Sequence, residues 1–432
     1  MLKTIRDAWK IDDLRKKMLF TLFVILLYRL GDAIPVPYVN LDALSGYFES
    51  IHSTVLGLIN TMSGGSFSRA TIFALSIQPY INASIIIQLL TLAIPALERL
   101  QKDEGEEGQK KLASITRYST VLIALLQGYA YYALLKNSNY QGTALLTGTG
   151  VWDAIVIILT FTSGSALIMW MGEQITEFGI GNGISIILFA SIVSRLPSDL
   201  YRLISGISSG SISIPLAILI IVGALAMIVL IVFVTDAERR IPIQYSKRVV
   251  GRKVYGGQST HLPMKVNMSG VMPIIFAQSI AMLPATICAF VPKWKDGWAM
   301  RHIFDSTTVP YAVIYFLLII FFSYFYSTIQ FNPIEVANNL KKNGGFIPGF
   351  RPGRPTSEYI QKSLNKITLF GAIYLGIVAV APIIVDMCSS EARTYGLALG
   401  GTSIIIVIGV ALETVRALEA QMVMRNYKGF LE

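Results

Sequence analysis

Apolar residues run in long blocks along this chain, and polar residues fall mainly between them. A helix that crosses a bilayer needs about 20 mostly apolar residues. Blocks of that kind lie at 18–37, 71–97, 113–135, 152–172, 183–203, 213–234, 268–291, 310–330, 367–387 and 396–416. They predict an all-α polytopic membrane protein with ten transmembrane helices. One stretch, Asn60 to Ala96, is unlike the others. Its front, Met62–Ala70, is rich in small residues, is broken by Gly64-Gly65 and carries Arg69. Its back is apolar enough to cross, yet Ser76, Gln78, Pro79, Tyr80, Asn82, Ser84 and Gln88 interrupt it. Polar or irregular backbone at membrane depth is tolerated only where protein buries it or it lines a water-filled cavity. The stretch therefore predicts a re-entrant half-helix leading into a cavity-lining span.

Composition sets the class firmly. Of 432 residues, 53% are hydrophobic and 14% charged, with a mean hydropathy of +0.58; soluble domains carry about 25% charged residues. The formal net charge of +10 needs no nucleic acid to explain it, because cytoplasmic loops of membrane proteins collect Lys and Arg. With ten spans, the tails and alternate loops on one side hold 27 of the 36 basic residues and the other side holds 9. Both termini are therefore expected in the cytoplasm. Leu2, Ile5 and Trp9 lie at helical spacing among Lys3, Arg6 and Lys10, the pattern of a helix lying in the interface. No small-residue cleavage site follows the first apolar block, so a cleavable signal peptide is not expected. Cys288 and Cys388 make no disulfide framework and read as buried apolar residues.

Five spans precede the loop Leu196–Ser213 and five follow it. An odd number per half gives the halves opposite topology, as in folds built from inverted repeats. The expected order is an amphipathic tail (1–17), a first half (18–203), an external hinge loop (204–212), a second half (213–416) and a cytoplasmic tail (417–432). Two cytoplasmic loops are long. In 236–267, Ile241, Ile243 and Tyr245 alternate with polar positions, and Val249-Val250, then Gly251-Arg252-Lys253, lead to Val254-Tyr255: a basic hairpin. In 332–366, Asn332 should cap a helix that has Pro333 first and ends at Gly344-Gly345, ahead of a Pro-Gly segment.

Enzyme signatures fail on context. Gly206-Ile-Ser208-Ser-Gly210 fits GxSxG but lies in a loop without a histidine partner, and reads as a chance match. Gly179-Ile-Gly181-Asn-Gly183 lies between two spans without a βαβ unit and reads as a tight turn. There is no HExxH motif and no Cys/His cluster, so no catalytic residue, metal ligand or cofactor is assigned. Ion-coupled transporters place ionisable groups inside spans; here such groups fall at span ends or in loops, Glu413 being the deepest. That weighs against the competing small-solute transporter and favours a passage whose cargo must not bind strongly. A third class, an anchor for a ribosome or motor, would not need the polar interruptions.

Six stretches resemble one family: NTMSGGSFSRATIFALSIQPYINASIIIQLLT from Asn60, TRYSTV from Thr116, MWMGEQITEFGIGNGISIILFASIV from Met169, QSTHLPMKVNMSGVMP from Gln258, FNPIEVANNLKKNGGFIPGFRPG from Phe331 and LGGTSIIIVIGV from Leu399. This is the SecY family, the channel-forming subunit of the bacterial protein translocase. The resemblance implies two inverted five-helix halves hinged on the outer side. It implies a plug at about 58–70, with Met62, Gly64, Gly65, Phe67 and Arg69, and a pore ring of Ile77, Ile81, Ile184, Leu188, Ile275 and Ile406. Leu188 stands where the family pattern expects an aliphatic residue, a conservative departure. It implies a lateral gate between the second and seventh spans, with Gln88, Thr91, Gln127 and Gln278 as candidates for its polar seam. A docking surface for the SecA motor and the ribosome would hold Arg239, Arg240, Lys247, Arg248, Arg252, Lys253 and Arg351. SecE and SecG are implied as small membrane partners, signal-bearing polypeptides as cargo, lipid as the destination of hydrophobic segments, and the bacterial plasma membrane as the location.

Overall fold

The structure is a computed structural model and describes residues 2–50, 55–102, 105–148, 150–210, 213–245, 248–250, 253–255, 259–268, 270–290, 302–303, 308–388 and 401–428. Each of the ten apolar windows contains helix. The first half contains α1 (Leu2–Trp9), α2 (Asp12–Gly31), α3 (Leu41–Ser50), α4 (Val55–Met62), α5 (Gln78–Ala93), α6 (Pro95–Lys102), α7 (Gly105–Asn137), α8 (Val151–Phe178), α9 (Gly183–Val193) and α10 (Leu196–Ser208). The second half contains α11 (Ile214–Asp236), α12 (Met272–Phe290), α13 (Val309–Gln330), α14 (Pro333–Lys342), α15 (Arg354–Cys388) and α16 (Gly401–Lys428). Six helical stretches among the described residues are long and apolar enough to cross a membrane: 105–137, 151–178, 183–208, 214–236, 309–342 and 354–385. The other four windows are filled by α2, α5, α12 and α16.

Three expectations change. The window 71–97 is not one continuous span. Residues Thr71–Ile77 form turns, with Ala70 and Ser76 at φ 41° and 50°, and helix begins only at Gln78, where Pro79 suits a first turn. It stops at Ile94, which is extended ahead of Pro95 as the proline ring requires. Second, the half-helix is α4, ending at Met62, and Ser63–Ala70 is a run of turns rather than helix. The Gly65 N–H closes back on the Asn60 carbonyl at 2.8 Å with Gly64 and Gly65 at φ 69° and 88°, a left-handed helix stop that glycine permits. Third, most of the expected hinge loop is α10, which packs Leu203 against Ala217 of α11; only Ser209 and Gly210 remain as a described turn.

A single apolar cluster runs through the middle of the molecule and draws residues from α2, α5, α8, α9, α11, α12, α13, α15 and α16. A second cluster lies in the first half, where α3, the turns after α4 and parts of α7 and α8 meet. There Val36, Leu44 and Phe48 of the segment after α2 fold over Phe67 and Ala70.

The two long loops 236–267 and 332–366 are joined, which sequence reading did not foresee. β3 (Glu238–Tyr245) pairs antiparallel with β6 (Ser259–Lys265), and β7 (Gly345–Phe346) from the other loop adds to its far end. The expected hairpin tip is present as β4 (Arg248–Val250) paired with β5 (Lys253–Tyr255). Ile241, Ile243 and Met264 pack with Ile347, Ile360, Leu364 and Ile367 into a core of their own. Strand alternation buries Ile241 and Ile243 and leaves Pro242 and Gln244 exposed. As expected, Asn332 caps α14 by accepting from the N–H groups of Ile334 and Glu335, and Gly344 follows at φ 70°.

Candidate functional site: constriction, plug and seam

The six residues proposed for the ring meet in the central cluster. Ile77, Ile81, Leu188, Ile275 and Ile406 are buried there, and Ile184 packs against them partly exposed. Ile77 precedes α5 and its carbonyl accepts the Ile81 N–H at 3.1 Å, so Ile81 follows it by one turn, and Ile184 and Leu188 share one face of α9. α9 is aimed by its start: the Asn182 side chain accepts from the Ile184 and Ser185 N–H groups. Gly183 lets α9 approach α8, since a Cβ there would fall 2.0 Å from the Gly172 carbonyl oxygen. On one side of the cluster opens a cavity of about 580 Å³, lined in part by Asn182, Ser185, Asn267, Ile275, Glu413 and Arg416. Its lining mixes polar groups (Asn182, Ser185, Asn267) and charged ones (Glu413, Arg416) with aliphatic ones (Ile275, Leu375, Ile405). An aliphatic surface offers a passing peptide no hydrogen bond to hold it.

The turns Ser63–Ala70, the candidate plug, are held by well-paired groups. Phe67 stacks on Tyr131 with ring centroids 4.3 Å apart and meets Phe48 edge-on at 5.3 Å. The Tyr131 hydroxyl donates to the Phe67 carbonyl, and the Ser66 hydroxyl donates to the buried Asp32 carboxylate at 2.7 Å. Met62 is buried and its sulfur accepts from the Gln78 amide at 3.3 Å. Gly64 lies flat on α9, where a Cβ would sit 2.7 Å from the Ser191 carbonyl oxygen. Gly65 accepts from Arg69 Nε at 3.3 Å, and Arg69 itself is exposed.

The seam is different. α12 touches α5 and α7 along it. Gln278 and Thr91 are buried, but Thr91 donates to its own helix at Ile87. Gln88 donates weakly to Ser84 at 3.5 Å and faces Tyr326 of α13. Gln127 lines a small gap of about 50 Å³ with Ile59, Phe67, Gln78, Ser279 and Met282, where plug and seam adjoin. Among the described residues, Gln88 Oε1, Gln278 Oε1 and the Ser279 hydroxyl are buried without a hydrogen-bond partner. No hydrogen bond among the described residues joins the amides of Gln88, Gln127 and Gln278.

Of the basic surface, Arg239, Arg240 and Arg351 are exposed on the joined platform. Arg240 pairs with Glu238 at 2.7 Å, and the Arg351 carbonyl accepts from Thr356 at 2.7 Å, which fixes the backbone of that turn. Arg248 and Lys253 belong to paired strands by backbone; Lys247 and Arg252 lie outside the described residues. Sequence reasoning missed Asp32, Ser66, Tyr131 and Ser191. The signal available was an aspartate three residues after Arg29 at the end of the first apolar block.

Fold and apolar helices together define a polytopic, mostly helical membrane protein with an apolar cluster at its centre. Comparison with known proteins then places it among its relatives. The SecY family profile matches residues 71–415. The protein translocase subunit SecY of Streptomyces scabiei is 44% identical over 441 residues, covering 100% of both chains. The corresponding subunit of Mycobacterium bovis is 44% identical over 451 residues, again all of both. A solved protein-conducting channel superposes with a TM-score of 0.66 at 16% identity, over 95% of this chain and 93% of that one. Sec61 from the canine ribosome-channel complex does so at 0.61 and 14%, over 95% and 93%. The chain belongs to the SecY family. It is accordingly a channel subunit of a protein translocase and not an enzyme.

Proposed function

We propose that unfolded secretory polypeptides cross through the constriction formed by Ile77, Ile81, Ile184, Leu188, Ile275 and Ile406, and that hydrophobic segments leave sideways between α5 and α12. The observation that supports this reading is that five of those side chains belong to one apolar cluster and Ile184 packs against it, beside a cavity of about 580 Å³ that Ile184's neighbour Ser185 and Ile275 help to line. Residues Met62, Gly64, Gly65, Phe67 and Arg69 act as the removable plug. Gln88, Thr91, Gln127 and Gln278 form the gate edge. A segment resting there partitions by its own solvation: a central Leu favours lipid by about 0.5 kcal/mol and a central Asp or Arg opposes it by about 3 kcal/mol. About ten leucines then favour lipid by roughly 5 kcal/mol, and two charges reverse the choice.

The platform built from both cytoplasmic loops receives the driving partner. Arg239, Arg240, Lys247, Arg248, Arg252, Lys253 and Arg351 meet a ribosome, whose RNA phosphates suit arginine, or the SecA ATPase. The solved relatives include channel–ribosome complexes, which supports a ribosome as partner. SecE and SecG complete the complex in the bacterial plasma membrane, with both termini of this chain in the cytoplasm. The halves swing about the turn after α10.

The test is reconstitution of the complex with SecA in vesicles and measurement of protease-protected preprotein. Arg351→Glu should abolish SecA-driven export while leaving the chain correctly inserted. Normal export by this variant would overturn the docking role.

A further inference from the structure

Span end, plug and constriction are linked by one chain of polar contacts. The Asp32 carboxylate is only 3% exposed. It accepts from the Ser66 hydroxyl of the plug at 2.7 Å and pairs with Arg29 at 2.7 Å. The same Arg29 guanidinium donates to the Ala190 carbonyl of α9 and lies beside the Tyr28 ring. Tyr28 stacks on Phe73 with centroids 5.6 Å apart, and its hydroxyl shares a hydrogen bond with Ser191 at 2.7 Å. Gly64 of the plug rests on the Ser191 carbonyl. Arg69, on the plug, adds a second positive charge that acts on Asp32. Ala190 and Ser191 lie less than one turn beyond Leu188, so the helix that carries two ring residues also carries the plug's seat.

We propose that Asp32 and Arg29 form a latch that holds the plug and is released through α9. A chain that pushes Ile184 and Leu188 outward moves Ala190 and Ser191 with them, because α9 is a continuous helix. That motion withdraws the Ala190 acceptor from Arg29 and the Ser191 seat from Gly64, and so weakens the Asp32–Ser66 hold. A buried carboxylate cannot stay charged without its partners, so the latch opens as a unit rather than bond by bond. Occupancy of the constriction is thereby reported to the plug without any contact between cargo and plug. Asp32 and Arg29 are positioning residues; neither lines the constriction cluster.

The inference rests on the plug reading, and the experiment separates the two. Resting ion conductance of the assembled translocase is measured in planar bilayers for Asp32→Asn, Ser66→Ala, the double variant and Gly64→Leu. A charge-assisted hydrogen bond of this kind sets the seated plug apart by about tenfold or more. Asp32→Asn, which removes the charge that pairs with Arg29, and Ser66→Ala should therefore each raise resting conductance by about tenfold, and the double variant should exceed Asp32→Asn by no more than a factor of about two, because Ser66 reaches the latch only through the Asp32 carboxylate. Gly64→Leu, which cannot fit against α9, should leak whatever holds Asp32. Wild-type conductance in Asp32→Asn together with a leaking Gly64→Leu would overturn the latch and leave the plug. A tight Gly64→Leu would overturn the plug reading and the latch with it. Multiplying effects in the double variant would show that Asp32 and Ser66 act separately and would also overturn the latch.

Discussion

The plug bed and the seam between α5 and α12 lie side by side, meeting at the gap lined by Phe67, Gln127 and Ser279, yet they are built by opposite rules. In the plug bed most polar groups that packing encloses are matched, the buried Ser76 hydroxyl being an exception. Ser66 finds Asp32, Asp32 finds Arg29, Tyr28 finds Ser191, and Tyr131 finds the Phe67 carbonyl. Along the seam, Gln88, Gln278 and Ser279 each bury an oxygen with no partner. An unmatched buried polar atom costs about 1–3 kcal/mol, and wetting it recovers that cost. On the proposed assignment, the plug is held by what it gains when shut, whereas the seam recovers hydration when it opens. Two barriers built this way would be stabilised separately, one against ions and one towards lipid.

Changes on either side should break this division in order of size. Phe67→Ala removes a ring stacked between Tyr131 and Phe48 and should cost the seated plug about 3–5 kcal/mol. Resting conductance should rise by at least a hundredfold, with lateral insertion of a test hydrophobic segment unchanged; an unchanged conductance would mean the stack does not seat the plug. Gln278→Leu takes an orphaned oxygen out of the seam and should stabilise its closed form by about 1–3 kcal/mol. Lateral insertion, followed by glycosylation-free protease mapping, should slow about tenfold or more while conductance holds. Insertion at the wild-type rate would show that Gln278 is hydrated already. Tyr131→Phe keeps the stack and removes one hydrogen bond, worth about 0.5–1.5 kcal/mol. Its leak should be a few-fold, well below that of Phe67→Ala; a leak of equal size would give the hydroxyl, not the ring, the main role.

How legible this was in the sequence follows from the range of the forces involved. The spanning helices and α14 were readable because they announce themselves locally, by a run of apolar residues or by a cap such as Asn332 ahead of Pro333, whereas α3 and the end of α10 carry no such mark. The ring residues were located through family resemblance, since an isoleucine in a span carries no local mark of facing a pore. The late start of α5 was not readable. Ser76 stands at φ 50°, where its carbonyl accepts from Ser165 at 3.4 Å, and Gly164 lets the Ile72 carbonyl come within 2.0 Å of where a Cβ would be. Those are contacts with α8, about ninety residues away in sequence. Likewise β7 is two residues long and has no strand pattern of its own; it exists because β3 offers it an edge. Asp32 looked like an ordinary charge at a span end, and only the fold brings Ser66 to it.

The central claim is that polypeptide passes through the aliphatic constriction and not along another face of the bundle. Single photoreactive side chains placed at Ile81, Ile275 and, as a reference, Leu225 on the exposed face of α11, test it directly against a secretory chain stalled in transit. The account predicts strong cross-links from Ile81 and Ile275 to the stalled chain and none from Leu225. Equal labelling at all three positions, or labelling at Leu225 alone, would contradict it.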